Sequence, residues 1–207
     1  MTFSMVARCP KKLKLGVCVS TAVPAVGSRV PHVEAGVGAI ATQAKTNILY
    51  GINGLKLLRK GLSPQVALET MSREDPDWKS RQVIMIDGKG RTAAFTGKDT
   101  IGWKGHLVGE NYAVAGNMLV SNQVIEAMAQ TFENSNGELA ERMLKALEAG
   151  QEAGGDKRGR ISAALLIARQ RQKENRSLLD LRVDEHHDPV RELIKIFEKK
   201  VPGIKRK

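Results

Sequence analysis

Aromatic residues make up only 4% of this 207-residue chain. That is too few for the stacking platforms on which single-stranded nucleic acids are held. Cysteine is as sparse: Cys9 and Cys18 make no disulfide framework, and neither stands in a metal-ligand spacing with His32, His106, His186 or His187. A hairpin of the first two strands would bring the two cysteines closer, but in a reducing compartment two thiols are expected. Long apolar runs are missing, since SAALLIA (162–168) falls far short of the roughly 20 residues that span a bilayer. The basic cluster KKLK (11–14) is not followed by an apolar core of signal-peptide length before Pro24, so cytoplasmic residence is expected. No strand leads into G-x-G-x-x-G or a Walker-type loop, and Gly36 and Gly38 give only a lone G-x-G.

What is present is a globular composition, 42% hydrophobic with charge interleaved, at a length that fits one domain over residues 1–207. The net charge of +11 is concentrated in 157–176 and in the tail KRK (205–207), whereas 121–152 is net acidic. A solvated basic face, or attraction for an anionic substrate, is the default reading of that excess, and nucleic-acid binding the minority one.

Residues 3–8 and 15–21 read as two strands, 35–44 as a third thinned by glycine, and 81–97 as strand, Asp87-Gly88 turn and strand. Residues 105–120 are again strand-like, as are 161–170 and 178–184. Helices are expected over 46–61, with Ile48, Leu55 and Leu58 on or near one face, and after Ser63-Pro64. Two further helices carry the stripes Ile125, Met128, Phe132 and Leu139, Met143, Leu147, and a last one follows Asp188-Pro189. Antiparallel hairpins separated by paired helices predict an α+β fold of two packed sheets with helices outside.

The opening MTFSMVARC places a threonine behind the initiator. A small second residue permits removal of Met1, which leaves Thr2 carrying a hydroxyl and a free α-amino group, nucleophile and base in one residue. The same stretch also reads as an ordinary strand with a β-branched second residue.

The segments MTFSMVAR, LGVCVSTAVPAVGS, AGVGAIATQA, NILYGINGLKLL, GENYAVAGNML, GGDKRGRISAAL and LDLRVDEHHDPVREL, in this order, resemble the family named domain of unknown function 1028 over essentially the whole chain. That family is grouped with the N-terminal nucleophile (Ntn) hydrolases. The resemblance implies a four-layer αββα sandwich, two antiparallel sheets flanked by helices, with Thr2 as the nucleophile. Members commonly read RGRQSAAL, where this chain has Ile161 in place of the glutamine.

Around Thr2 the candidates are Asn117, whose amide with the neighbouring Gly116 N–H would hold an oxyanion, and Asp156 with Arg158 in the glycine-rich turn GGDKRGR, placed to orient the α-amino group or a substrate carboxylate. Glu34, Gln43, Asn47 and Tyr50 are candidate pocket residues between the third strand and the following helix, and Ser20 a polar wall late in the second strand. Each also has a plain structural reading, as turn former, surface charge or wall. No metal site is predicted, Arg182, Asp184 and His186 being too few ligands, and no cofactor. The leading function is an Ntn-type amidohydrolase acting on a small amide or peptide-like substrate, with a homodimer or higher oligomer admitted. The alternatives are a non-catalytic assembly or small-ligand-binding module on the same fold, and an anion or nucleic-acid binder using 157–176.

Overall fold

The computed structural model describes residues 2–170 and 176–201. Met1, residues 171–175 of the basic segment and the KRK tail lie outside the described residues. In chain order the elements are β1 (Thr2–Cys9), β2 (Lys14–Thr21), β3 (Pro31–Glu34), β4 (Gly38–Ala44), α1 (Leu49–Arg59), α2 (Pro64–Glu74), β5 (Arg81–Asp87), β6 (Thr92–Thr96), β7 (Trp103–Gly109), β8 (Tyr112–Leu119), α3 (Gln123–Asn134), α4 (Leu139–Glu152), β9 (Ser162–Arg169), β10 (Arg176–Val183) and α5 (Pro189–Lys200). They form a mixed α+β structure with two antiparallel sheets, ordered β10-β9-β2-β1-β8-β7 and β3-β4-β5-β6.

Alternation along each strand sorts the side chains. Phe3, Met5 and Ala7 of β1, Cys18 of β2 and Val114 of β8 join the stripes of α3, α4 and α5 in one core. Their neighbours Val6, Val17, Val19, Ala113 and Ala115 face the other sheet and pack on Ala39, Ala41, Ile84 and Ile86. The far face of the smaller sheet, including Ile40, Val83 and Met85, is covered by α1 and α2. Thus the two sheets share one apolar layer and the helices close the other two.

Local chemistry sets most boundaries. Ser63 caps α2 by accepting a hydrogen bond from Val66 N at 3.3 Å, with Pro64 behind it, an arrangement worth about 1 kcal/mol. Asp87 accepts from Lys89 N and Arg91 N, both at 2.9 Å, and so closes the β5–β6 turn. The stripes Ile125, Met128, Phe132 and Leu139, Met143, Leu147 are buried, as are Val190, Leu193, Ile194 and Phe197.

Four expectations are corrected. A further strand, β3, stands directly before the third expected one, short and begun by a proline, so its alternation is too brief to read. Residues 105–120 belong to a hairpin rather than one strand, turned at Asn111 in the left-handed region (φ 62°). Helix α1 starts at Leu49, where Asn47 Oδ1 accepts from Leu49 N at 3.0 Å. Its buried face is Tyr50, Gly51, Gly54 and Leu58, with Ile48 exposed; a Cβ on Gly51 would stand 2.2 Å from the His32 ring, so only glycine lets this helix lie so close to β3. Finally, Asp188 does not cap α5 with its side chain; it accepts from Gln151 Nε2 at 2.9 Å instead and ties α5 to α4.

Candidate active site

Toward one end of the layer between the sheets the inward residues change from apolar to polar. Antiparallel register places Thr2 directly across from Asn117 and Gln43 across from Gln82. Parity adds Ser4 and Thr21 to the same inner surface. Thr2 Oγ1 lies 3.2 Å from Thr21 Oγ1. Ser4 Oγ donates to Gln43 Oε1 at 2.7 Å. Gln43 Nε2 and Asn117 Nδ2 both donate to Gln82 Oε1, at 2.8 and 2.9 Å. Gln82 Nε2 in turn reaches Thr96 Oγ1, Gly105 O and Gly116 O. Thr2, Ser4, Thr21, Gln43, Gln82 and Asn117 are all buried, and a buried polar group must find partners or cost stability. One amide hydrogen of Asn117 is spent on Gln82; the second has no partner among the described residues, which leaves a preoriented donor beside Thr2.

The loop after α4 crosses this end of the larger sheet. Asp156 bridges to Leu119 at the end of β8, and its Oδ2 accepts from Ala22 N, just past β2, at 3.1 Å. Because β1 lies between β2 and β8, the loop spans the start of β1. Arg158 folds back onto Asp156, N to Oδ1 at 2.8 Å and Nη2 to Oδ2 at 3.4 Å.

A β-bulge sits beside Asn117. The β7–β8 register jumps from Lys104↔Asn117 to Trp103↔Leu119, and the extra residue, Met118, holds φ 53°. Ala44, at the end of β4, holds φ 68°. Non-glycine residues in this region store of order 1–2 kcal/mol each, and such strain collects at functional sites. Both residues border a cavity of about 360 Å³, lined also by Asn117, Lys45, Ser80, Asp99, Thr100 and Ile101.

Of the residues singled out in the sequence, Thr2, Gln43, Asn117 and Asp156 converge here, with Arg158 at the rim. Ser20 is buried on the opposite face of β2, against Phe3, and parity makes Thr21 the neighbour of Thr2. Gly116 also faces the helices: a Cβ there would meet Leu119 at 2.3 Å, so its smallness serves the core. Glu34 lies at the other end of the smaller sheet, opposite Gly38, with Arg59 Nε donating to it at 2.8 Å. Asn47 and Tyr50 line a different cavity of about 280 Å³, with Met71 and Asp75. There burial, then Asp75, pushes the Tyr50 phenol up, while a hydrogen bond from Arg81 holds Asp75 below the usual carboxylate range. Ser4, Thr21 and Gln82 escaped sequence reading. For Gln82 a signal existed: it shares the inward parity of Ile84 and Ile86 in RQVIMID, a polar residue in an otherwise apolar row.

The chain is similar to the crystal structure of a protein from Silicibacter pomeroyi that is assigned to the family of unknown function DUF1028. The TM-score is 0.90 at 31% sequence identity, covering 98% of this chain and 87% of that one. No curated protein matches. The sequence model of the Family of unknown function (DUF1028) matches residues 2–193, and this chain belongs to that family.

Proposed function

We propose that the protein is an Ntn-type amidohydrolase, an αββα sandwich in which Thr2, freed by removal of Met1, attacks a small amide or peptide-like substrate. The observation that carries this reading is the pairing of Thr2 with Asn117 at the polar, buried end of the layer between the sheets. Thr2 Oγ1 would add to the carbonyl carbon while the α-amino group, with a reference pKa of about 7.7–8.0, takes the hydroxyl proton. The Asn117 N–H that has no partner among the described residues would hold the oxyanion. Return of the proton to the departing amine leaves a Thr2 ester, which water hydrolyses with the same amino group as base. Asp156 acts by holding Ala22, and hence the Thr21 hydroxyl, in place.

Intact mass of the protein from its native source, with and without a β-lactone that acylates hydroxyls, tests the proposal. A single adduct mapped to Thr2 on a chain lacking Met1 supports it. Retained Met1 with no adduct sinks it and favours the second reading, a non-catalytic small-ligand-binding or assembly module. The observation on that side is that Thr2 is only 6% exposed and its hydroxyl already meets Thr21.

A further inference from the structure

The cavity of about 360 Å³ beside Asn117 is walled by the β4–α1 connection on one side and the β6–β7 loop on the other. Three of its features bear on what it holds. Thr100 is 5% exposed, and its Oγ1 is buried with no hydrogen-bond partner among the described residues. An orphan hydroxyl of this kind is unfavourable until something meets it. Lys45, the one cation in the lining among the described residues, is already bound to Asp77 at 2.7 Å. Lys104, behind the loop, donates to the carbonyls of Lys98 and Thr100. Asp99 therefore remains the carboxylate of the lining with no ion pair among the described residues.

Resting on the amidohydrolase reading, we propose that this cavity is the subsite for the acyl part of the substrate and that the substrate is an amide carrying a free ammonium group, an amino-acid amide or short peptide N-terminus. Asp99 pairs with the ammonium at the mouth, Thr100 Oγ1 bonds the polar group that enters behind it, and Asn117 stands where the carbonyl arrives. Ala44, Ile101 and Met118 leave apolar room for a side chain of modest size.

Calorimetric titration of the Thr2→Ala protein with L-alaninamide, N-acetyl-L-alaninamide and succinamate tests this without any turnover. The expected result is binding of L-alaninamide, weakened about tenfold by acetylation and about tenfold by Asp99→Asn, the loss expected for one charge-assisted hydrogen bond. Thr100→Val, which keeps the shape and removes the hydroxyl, should weaken it several-fold while the melting temperature holds. Equal or tighter binding of the acetylated or anionic amide, indifference to Asp99→Asn, or no binding of any probe overturns the proposal. Binding with this pattern alongside an inert wild-type enzyme would instead retain the subsite and overturn the role of Thr2.

Discussion

The Asn117 amide donates to Gln82 Oε1 at 2.9 Å across the gap between the two sheets, so the orientation of the candidate oxyanion donor is set from the opposite sheet. Loss of one such donor costs about 10²–10³ in kcat where an oxyanion is being stabilised. Asn117→Ala should show a loss of that size with KM little changed, measured on the amide that wild type turns over best; an unaltered kcat would remove Asn117 from the chemistry.

Gln82 itself is a structural hub. Gln82→Leu takes the partner of Asn117 Nδ2 and the side-chain donor to the Gly105 and Gly116 carbonyls out of a buried layer, while Gln43 Nε2 keeps its bonds to the Thr2 and Ala115 carbonyls. Each unsatisfied group costs about 1–3 kcal/mol, so urea unfolding should show a loss of about 3 kcal/mol or more. A loss below about 1 kcal/mol would mean that water replaces the side chain.

If the α-amino group of Thr2 is the base, kcat/KM must fall as that amine protonates. The profile should rise with pH through an apparent pKa near 7–8, the range of a free α-amino group. A rate flat from pH 6 to 9 would point to a base other than this amine.

These site contacts were only partly legible in the chain. Thr2, Asn117 and Asp156 stand out in the sequence because each lies at a break in a pattern: a strand start, a glycine-asparagine pair, a glycine-rich turn. Gln82 and Thr21 do not, because their roles arise from register between strands distant in sequence, and a one-residue change of parity separates Thr21 from Ser20. The same logic governs the fold. Helices α3, α4 and α5 carry stripes long enough to read, whereas β3 has only Pro31–Glu34 in which to show alternation. Asn47 and Tyr50 share a sequence neighbourhood with Gln43 but sit past the end of β4, where the chain has already turned onto the outer layer.

Near the site, Arg81 donates to Asp75 at 2.8 Å and to Lys45 O at 2.6 Å, joining α2, β5 and the β4–α1 connection. The Asp75 carboxyl is held below its ordinary value chiefly by that hydrogen bond. A carboxylate whose pKa is lower folded than unfolded contributes fully above about pH 4, and the contribution is lost as pH falls through the depressed value. Melting temperature should therefore drop below about pH 4, and less steeply in Arg81→Met. Parallel drops in the two proteins would assign the acid lability elsewhere.

Burial, opposed by backbone hydrogen bonds, pushes the Cys18 thiol up to about 12, whereas Cys9 is partly exposed. Iodoacetamide at pH 8 should label Cys9 in the native protein and reach Cys18 only on unfolding, since the thiolate is the reactive form. Equal labelling of both would show that the layer under α4 opens readily.

The extra residue at Met118 acts as a phase switch. Before it, odd-numbered residues of β8 face the neighbouring sheet, ending with Asn117; after it, Leu119 faces the helices and fills the space Gly116 leaves. One strand can thus serve a polar pocket and an apolar core in successive residues, with the crossover placed at the cavity wall. Straightening the strand with Met118 kept would not merely relax a strained backbone: regular alternation would send Leu119 toward the polar end and empty the core behind Gly116, coupling the shape of the pocket to the packing of α3 and α4.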